Sequence, residues 1–132
     1  MKEVKVKTSQ REELIDVTSD VQSAVNESGM TSGVVVCFVP HTTAGITINE
    51  NADPDVKRDI LYKLNKEIPQ ADGYRHGEGN SDAHIKASLM GSSVQVIVEG
   101  GRLALGTWQG VYFCEFDGSR SRNLWIQAVP VA

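Results

Sequence analysis

The sequence predicts an α+β fold with a largely antiparallel sheet and about three helices. Three observations carry that expectation. Strand-type alternation opens the chain, a series of strand-type segments fills its last third, and three helix patterns lie between without the strict βαβ alternation that a parallel sheet requires. With 132 residues, 40% hydrophobic and 23% charged, the chain has the size and composition of one soluble globular domain, taken as residues 1–132.

Val4 and Val6 alternate with Glu3, Lys5 and Lys7, the period of a half-exposed strand, and Leu14, Ile15 and Val17 mark a second short one. Thr18 or Ser19 is placed to cap a helix with Val21, Ala24 and Val25 on one face, and Gly29 ends it. Gly33 to Val39 is a continuous apolar run that reads as a buried strand and stops at Pro40, so His41 stands at a strand end. Ile46 and Ile48 alternate with polar residues as a further strand. Asn51 or Asp53 is placed to cap a second helix, with Pro54 in its first turn and Val56, Ile60, Leu61 and Leu64 as its apolar stripe. From Gln70 to Asn80 the chain has no periodicity and reads as an ordered surface loop. Asn80 or Ser81 then caps a third helix over Asp82 to Met90, ended by Gly91. Val94 to Val98, Leu103 to Leu105, Val111 to Phe116 and Leu124 to Val129 read as strands separated by turns.

Thirteen Lys and Arg against seventeen Asp and Glu give a formal charge of −4, which opposes non-specific adhesion to nucleic acid or anionic lipid. No apolar window approaches the span of a membrane helix and the start lacks a signal-peptide pattern, so the expected location is the cytoplasm. Cys37 and Cys114 lie in apolar strand-type runs, where a free thiol behaves as a small hydrophobe.

All three histidines, His41, His76 and His84, fall in segments rich in Gly, Thr, Asn, Asp and Ser. Three imidazoles can hold a zinc-like ion in an open site, whereas hydrogen-bonded or exposed side chains explain each of them singly. Asp53, Glu78 and Asp82 are placed to move a proton or to bind magnesium through oxygen; Asp53 and Asp82 serve equally as helix caps. In the run CEFDGSRSR, Glu115 and Asp117 accompany Arg120 and Arg122, whose planar forks suit phosphate or carboxylate, although an exposed turn of compensating charges has the same letters. Trp108 is placed either to stack on a ring or to pack at a strand boundary. No phosphate-binding glycine loop and no nucleophile elbow occurs, so no nucleotide cofactor is indicated.

Three long segments, PHTTAGITINENADPDV, HGEGNSDAHIKASLMGSS and GRLALGTWQGVYFCEFDGSRSRN, closely resemble the YjbQ-like family over nearly the whole chain. The resemblance implies a compact α+β sandwich assembled as a homotrimer, and an enzyme associated with a secondary thiamine-phosphate synthase activity. It implies a site drawn from His41, Thr42, Thr43, Asn49, Glu50 and Asp53 in the first segment, and from His76, Glu78, Asn80, Asp82 and His84 in the second. The third supplies Trp108, Gln109, Glu115, Asp117, Arg120 and Arg122. One departure is visible: the family turn tends to carry Pro where this chain has Ser119.

On this reading His41, His76 and His84 ligate a divalent metal ion, zinc-like at the histidines, or magnesium accompanies the diphosphate. Glu78, Asp53, Asp82, Arg120 and Arg122 are the catalytic candidates. Thr42, Thr43, Asn49, Asn80, Trp108, Gln109, Glu115 and Asp117 are the substrate-binding ones. The expected partner is a small phosphorylated metabolite, with no nucleic acid and no membrane. Metal-dependent hydrolysis of such a metabolite, or binding without turnover by a trimer, are the alternative functions.

Overall fold

The fold is that of a computed structural model describing residues 1–131. Its elements run β1 (Lys2–Lys7), β2 (Glu13–Asp16), α1 (Thr18–Ser28), β3 (Ser32–Phe38), β4 (Ala44–Glu50), α2 (Pro54–Glu67), α3 (Ser81–Met90), β5 (Ser93–Glu99), β6 (Arg102–Leu103), β7 (Gln109–Glu115) and β8 (Ser121–Pro130). The strands form a five-stranded sheet ordered β1-β8-β3-β5-β6 and a three-stranded sheet ordered β2-β7-β4, and every pairing is antiparallel. The expected α+β class, three helices and antiparallel pairing are all present.

Period-two alternation explains which faces meet. Val35, Cys37, Val96, Val98, Leu124 and Ile126 turn inward from the larger sheet, meet Ile46, Val111 and Phe113 of the smaller one, and are closed off by Val21, Ala24 and Val25 of α1. Strand β7 is buried on both sides, because Tyr112, Cys114 and Phe116 point the other way into a second cluster with Leu14, Ala83 and Ala87, flanked by Ile60, Leu61 and Leu64 of α2. That double burial is why its sequence is a continuous apolar run instead of an alternating one. The layers are therefore large sheet, small sheet, then α2 and α3.

Two local expectations are corrected. The N-cap of α1 is Val17, and neither Thr18 nor Ser19 takes that position. The carboxylate of Asp16 accepts both the Thr18 N–H at 2.9 Å and the Thr18 hydroxyl, since a charged acceptor two residues upstream binds the free donors of a helix start more strongly than a hydroxyl does. Leu103 to Leu105 do not form a strand of three: β6 ends at Leu103, and its partner strand supplies only Val98 and Glu99 as ladder partners. Elsewhere the caps agree, with Gly29 left-handed at φ 70° after α1 and Asp53 accepting from the Asp55 N–H at 2.9 Å before α2.

The turn joining β7 to β8 packs tightly on the segment after β1. The Gly118 N–H donates to the Arg11 carbonyl at 2.9 Å, and a Cβ at position 118 would lie 2.2 Å from the Gln10 carbonyl oxygen and 2.9 Å from Thr8 Oγ1. Backbone cannot yield as a flexible side chain does. Gly118→Ala is therefore expected to lower stability by about 1–3 kcal/mol, read as a shift in the urea midpoint; an unchanged midpoint would mean that the turn is free to move away.

Candidate functional site

One end of the sandwich gathers the ends of β3, β7 and α3's first turns with the starts of β4 and β8. There a cavity of about 610 Å³ is lined by Phe38, Val39, Pro40, His41, Thr42 and Thr43 from the β3–β4 connection. His76, Glu78, Asn80 and His84 come from the loop and first turns of α3, and Asp117, Arg120 and Arg122 from the β7–β8 turn, with Ser92 beside them. All three histidines and both arginines singled out in the sequence thus meet at one place. It is a wide, open cleft of mixed polar and apolar surface whose walls come from three distant stretches of chain.

Its floor is an ion pair reaching from one sheet to the other. The Arg122 Nε donates to Glu115 Oε1 at 2.8 Å, its Nη2 donates to Glu115 Oε2 and, at 2.8 Å, to Thr43 Oγ1, and Nη1 is left without a protein partner among the described residues. Glu115 also accepts from the Thr8 hydroxyl at 2.9 Å and the Asp117 N–H at 3.0 Å. Burial pushes the Glu115 carboxyl upward, but the hydrogen bonds from Arg122, Asp117 and Thr8 outweigh it and hold the group below its ordinary 4.5. Glu115 is completely buried and lies under the cavity rather than in it: its carboxylate is saturated, so it positions Arg122 and does not meet a ligand.

Arg120, although half exposed, is also held by several bonds. Its Nε donates to the Asp117 carbonyl at 2.8 Å and its Nη2 to Asp117 Oδ2 at 3.0 Å, while its backbone N–H donates to Thr8 Oγ1 at 2.8 Å and its carbonyl accepts the Thr8 N–H at 2.9 Å. Ser119 in place of proline therefore leaves the arginine aimed, because hydrogen bonds supply the constraint that a fixed φ would otherwise give. Asn80 Nδ2 donates to the same Asp117 Oδ2 at 3.0 Å, which fixes the orientation of its amide. Asn80 Oδ1 is the one buried side-chain polar atom with no partner among the described residues.

The histidines divide into two kinds. His76 and His84 stand edge to face with ring centroids 5.4 Å apart, and His76 Nε2 lies 3.9 Å from Glu78 Oε2. His41 is different, because its Nε2 accepts the Asn123 N–H at 2.9 Å. Burial, with the nearby Arg122 charge, lowers its pKa below 6.5 and keeps the ring neutral. A neutral ring that accepts at Nε2 carries its proton on Nδ1, so His41 offers a donor and no lone pair. The three-histidine cage is accordingly not assembled, and among the described residues no three His, Cys, Asp or Glu side chains stand close enough to hold one ion. His76 and His84 remain as a pair of imidazoles, with the Glu78 carboxylate and the buried, unpartnered Asn80 oxygen also contributed by residues of the cavity lining.

The lowered His41 value has a sign. A group whose folded pKa is depressed contributes stability that is complete above its unfolded value of about 6.5 and is lost as pH falls through the folded value. His41→Gln is expected to flatten the pH dependence of the urea midpoint just below pH 6.5; an unaltered slope would place the titration elsewhere.

Besides Glu115, six residues expected at the site, Asn49, Glu50, Asp53, Asp82, Trp108 and Gln109, are not in the cavity. The register pairs Ala44 with Glu115 at one end of β4 and Glu50 with Gln109 at the other, six residues or about 20 Å apart in an extended strand. Asn49, Trp108 and Gln109 therefore lie at the far end of the small sheet, and Asp53 caps α2 there. Gln109 accepts from the Gly106 N–H at 2.8 Å, Asn49 accepts from the Glu50 N–H at 2.7 Å, and Trp108 is 62% exposed. Asp82 points away from the cavity and is fully buried between Arg11 and Lys86, with contacts of 2.9–3.2 Å. Burial raises its pKa, but the hydrogen bonds from Arg11 and Lys86 outweigh that and leave it lowered. Thr8, Arg11, Lys86 and Ser92 were not expected; of these only Lys86 carries a local signal, four residues after Asp82 on one helix face.

Cys37 and Cys114 are free and buried in separate clusters, and burial pushes both thiols up to about 12, so neither is a reactive nucleophile. Among the described residues no helix is long and apolar enough to cross a membrane.

Comparison with known proteins agrees with this architecture. The family model described as UPF0047 protein YjbQ-like matches residues 2–131. The chain is 54% identical over 128 residues to UPF0047 protein YugU of Bacillus subtilis, covering 96% of this chain and 97% of that one. It is 53% identical over 124 residues to UPF0047 protein MJ1081 of Methanocaldococcus jannaschii, covering 94% and 90%. A crystal structure of a conserved YjbQ/UPF0047 family protein from Clostridium acetobutylicum superposes with a TM-score of 0.97 at 59% identity, covering 98% of this chain and all of that one. Since the matching family model spans nearly every residue, and relatives of more than half identity align almost end to end, the chain belongs to the YjbQ-like UPF0047 family.

Proposed function

We propose that the cavity binds a small phosphorylated metabolite, and that its reaction joins a pyrimidine diphosphate to a thiazole phosphate with release of pyrophosphate. The supporting observation is the convergence of three imidazoles, two guanidiniums and a free carboxylate, Glu78, on one open cleft. In this reaction the carbon–oxygen bond to the diphosphate breaks, its electron pair leaves with pyrophosphate, and the thiazole nitrogen supplies the pair for the new carbon–nitrogen bond. Arg122 Nη1 and the His41 Nδ1–H donate to phosphate oxygens, Arg120 stands at the rim, and Glu78 holds or accepts a proton.

Charge counting argues for an added cation. Arg122 is compensated by Glu115 and Arg120 by Asp117, while Glu78 adds a further negative charge. With neutral imidazoles the cleft therefore has no net positive charge to offer a polyanion. A divalent ion held by His76 and His84, zinc-like, or magnesium arriving with the diphosphate, would supply that charge and stabilise the leaving group.

The same count favours a second reading, hydrolysis of a metabolite bearing one phosphate. Nη1 of Arg122 and Nη1 of Arg120 are the cavity guanidinium nitrogens left open by these pairings among the described residues, which suits one phosphate better than three. Incubating tag-free protein with both thiamine precursors, with each alone, and with simple phosphomonoesters separates the readings. Pyrophosphate formed only with both precursors supports synthesis; phosphate released from a single substrate supports hydrolysis; binding without turnover leaves a metabolite-binding protein. Elemental analysis of wild type, His76→Ala and His84→Ala tests the ion, and equal metal in all three samples would remove the imidazoles from its coordination.

Assembly is part of the proposal. Val34, Val36, Phe38, Ile97, Trp125 and Val129 line the outer face of the large sheet, with Phe38 and Trp125 stacked at 5.8 Å and Phe38 also on the cavity rim. We place further copies of the chain over this face in a homotrimer working in the cytosol, where the free Cys37 and Cys114 stay reduced. Sedimentation equilibrium reading only monomer at working concentrations would refute the trimer.

A further inference from the structure

We propose that the segment Thr8–Arg11 is a strap that sets the two walls of the cavity relative to each other, with Arg11 as the positioning residue. This rests on the reading of the cleft as a ligand site. One wall is the start of α3, carrying Asn80 and His84; the other is the β7–β8 turn, carrying Asp117 and Arg120. Arg11 touches no cavity surface, yet it grips both. Its carbonyl accepts the Gly118 N–H at 2.9 Å, inside the turn. Its guanidinium clasps Asp82 with Nη1 to Oδ2 at 3.2 Å and Nη2 to Oδ1 at 3.0 Å, two residues from both Asn80 and His84.

The grip is rigid at each end. Thr8, three residues earlier, is tied to Arg120 through the two backbone-directed bonds described above. Asp82 is backed by Lys86, whose ammonium is fully buried and satisfies all three of its donors on Asp82 at 2.9 Å, Glu12 at 3.2 Å and Asn65 of α2 at 2.6 Å. The side-chain bond from Asn80 Nδ2 to Asp117 is the direct link between the walls, and one hydrogen bond does not by itself hold a helix against a turn. A two-ended, bidentate arginine does, since its planar fork fixes direction as well as distance, which lysine cannot reproduce.

Inorganic pyrophosphate in excess magnesium is the probe, titrated calorimetrically into wild type, Arg11→Met, Arg11→Lys and Val21→Ala, the last destabilised in the core far from the cleft. Amide signals of residues 80–84 and 117–122 are followed by NMR in the same samples. The expected result is a loss of affinity of about tenfold or more in both Arg11 variants, with signals moving in both walls, while Val21→Ala binds as wild type does. Equal destabilisation with unchanged affinity, or signals moving in one wall alone, would overturn the strap. If wild type binds no pyrophosphate, the ligand reading falls instead, and the strap is then decided by whether both sets of amide signals move together in Arg11→Lys.

Discussion

Asp82→Ala is expected to cost about 3–5 kcal/mol of stability, the largest effect of any single substitution considered, because it strips a buried cation cluster of its central anion. Lys86 has no exposed surface and Asp82 has none either. Without Asp82, the Lys86 ammonium retains only the Glu12 carboxylate and the Asn65 amide oxygen, and Arg11 loses its bidentate partner. A buried ammonium that is only partly compensated carries a desolvation cost that no surface pair would show. The double replacement Asp82→Leu with Lys86→Met separates charge from packing. Removing both buried charges is expected to recover most of the loss, since Arg11 and Glu12 remain as a compensating pair at 3.7 Å. Urea denaturation of the single and double variants measures this, and a loss below about 1 kcal/mol in Asp82→Ala would put the cluster in the class of surface ion pairs.

Arg122→Met is expected to be nearly as destabilising, at about 3–5 kcal/mol near neutral pH, and to abolish the phosphate binding proposed for the cavity as well. Glu115 would keep the Thr8 hydroxyl and the Asp117 N–H but lose the guanidinium that compensates its charge. The pH dependence then changes sign. In wild type the folded carboxyl lies below its ordinary 4.5, so its contribution is complete above that value and is lost as pH falls through the lower folded one. In Arg122→Met burial prevails, the folded value rises above the unfolded one, and the penalty shrinks as pH falls through it. Stability curves of the two proteins should therefore approach one another in acid. Parallel curves between neutral pH and pH 4 would show that Glu115 is not the group responsible.

Much of the architecture is legible locally. The apolar stripe of α2, the left-handed Gly29 and the capping Asp53 are all short-range features, and each helix is found where its periodicity puts it. The unbroken apolar run of β7 is legible only as a buried element; that it separates two cores needs the layers on either side. Thr18 illustrates the reverse, a residue with good capping chemistry displaced by an acid two positions away.

For the site, the sequence by itself determined which residue types stand in polar segments at element ends, and so marked His41, His76, His84, Arg120 and Arg122. Only the tertiary structure decided which of those ends meet. Antiparallel pairing of β4 with β7 carries Thr43 and Glu115 to the cavity and Glu50 and Gln109 to the opposite end, so neighbours within one motif part company over the length of an extended strand. Arg11, which clasps Asp82, and Glu12, which binds Lys86, are 71 and 74 residues away in the chain. A buried charge acquires its meaning from what desolvates and compensates it, and contacts of that separation leave no trace in local periodicity.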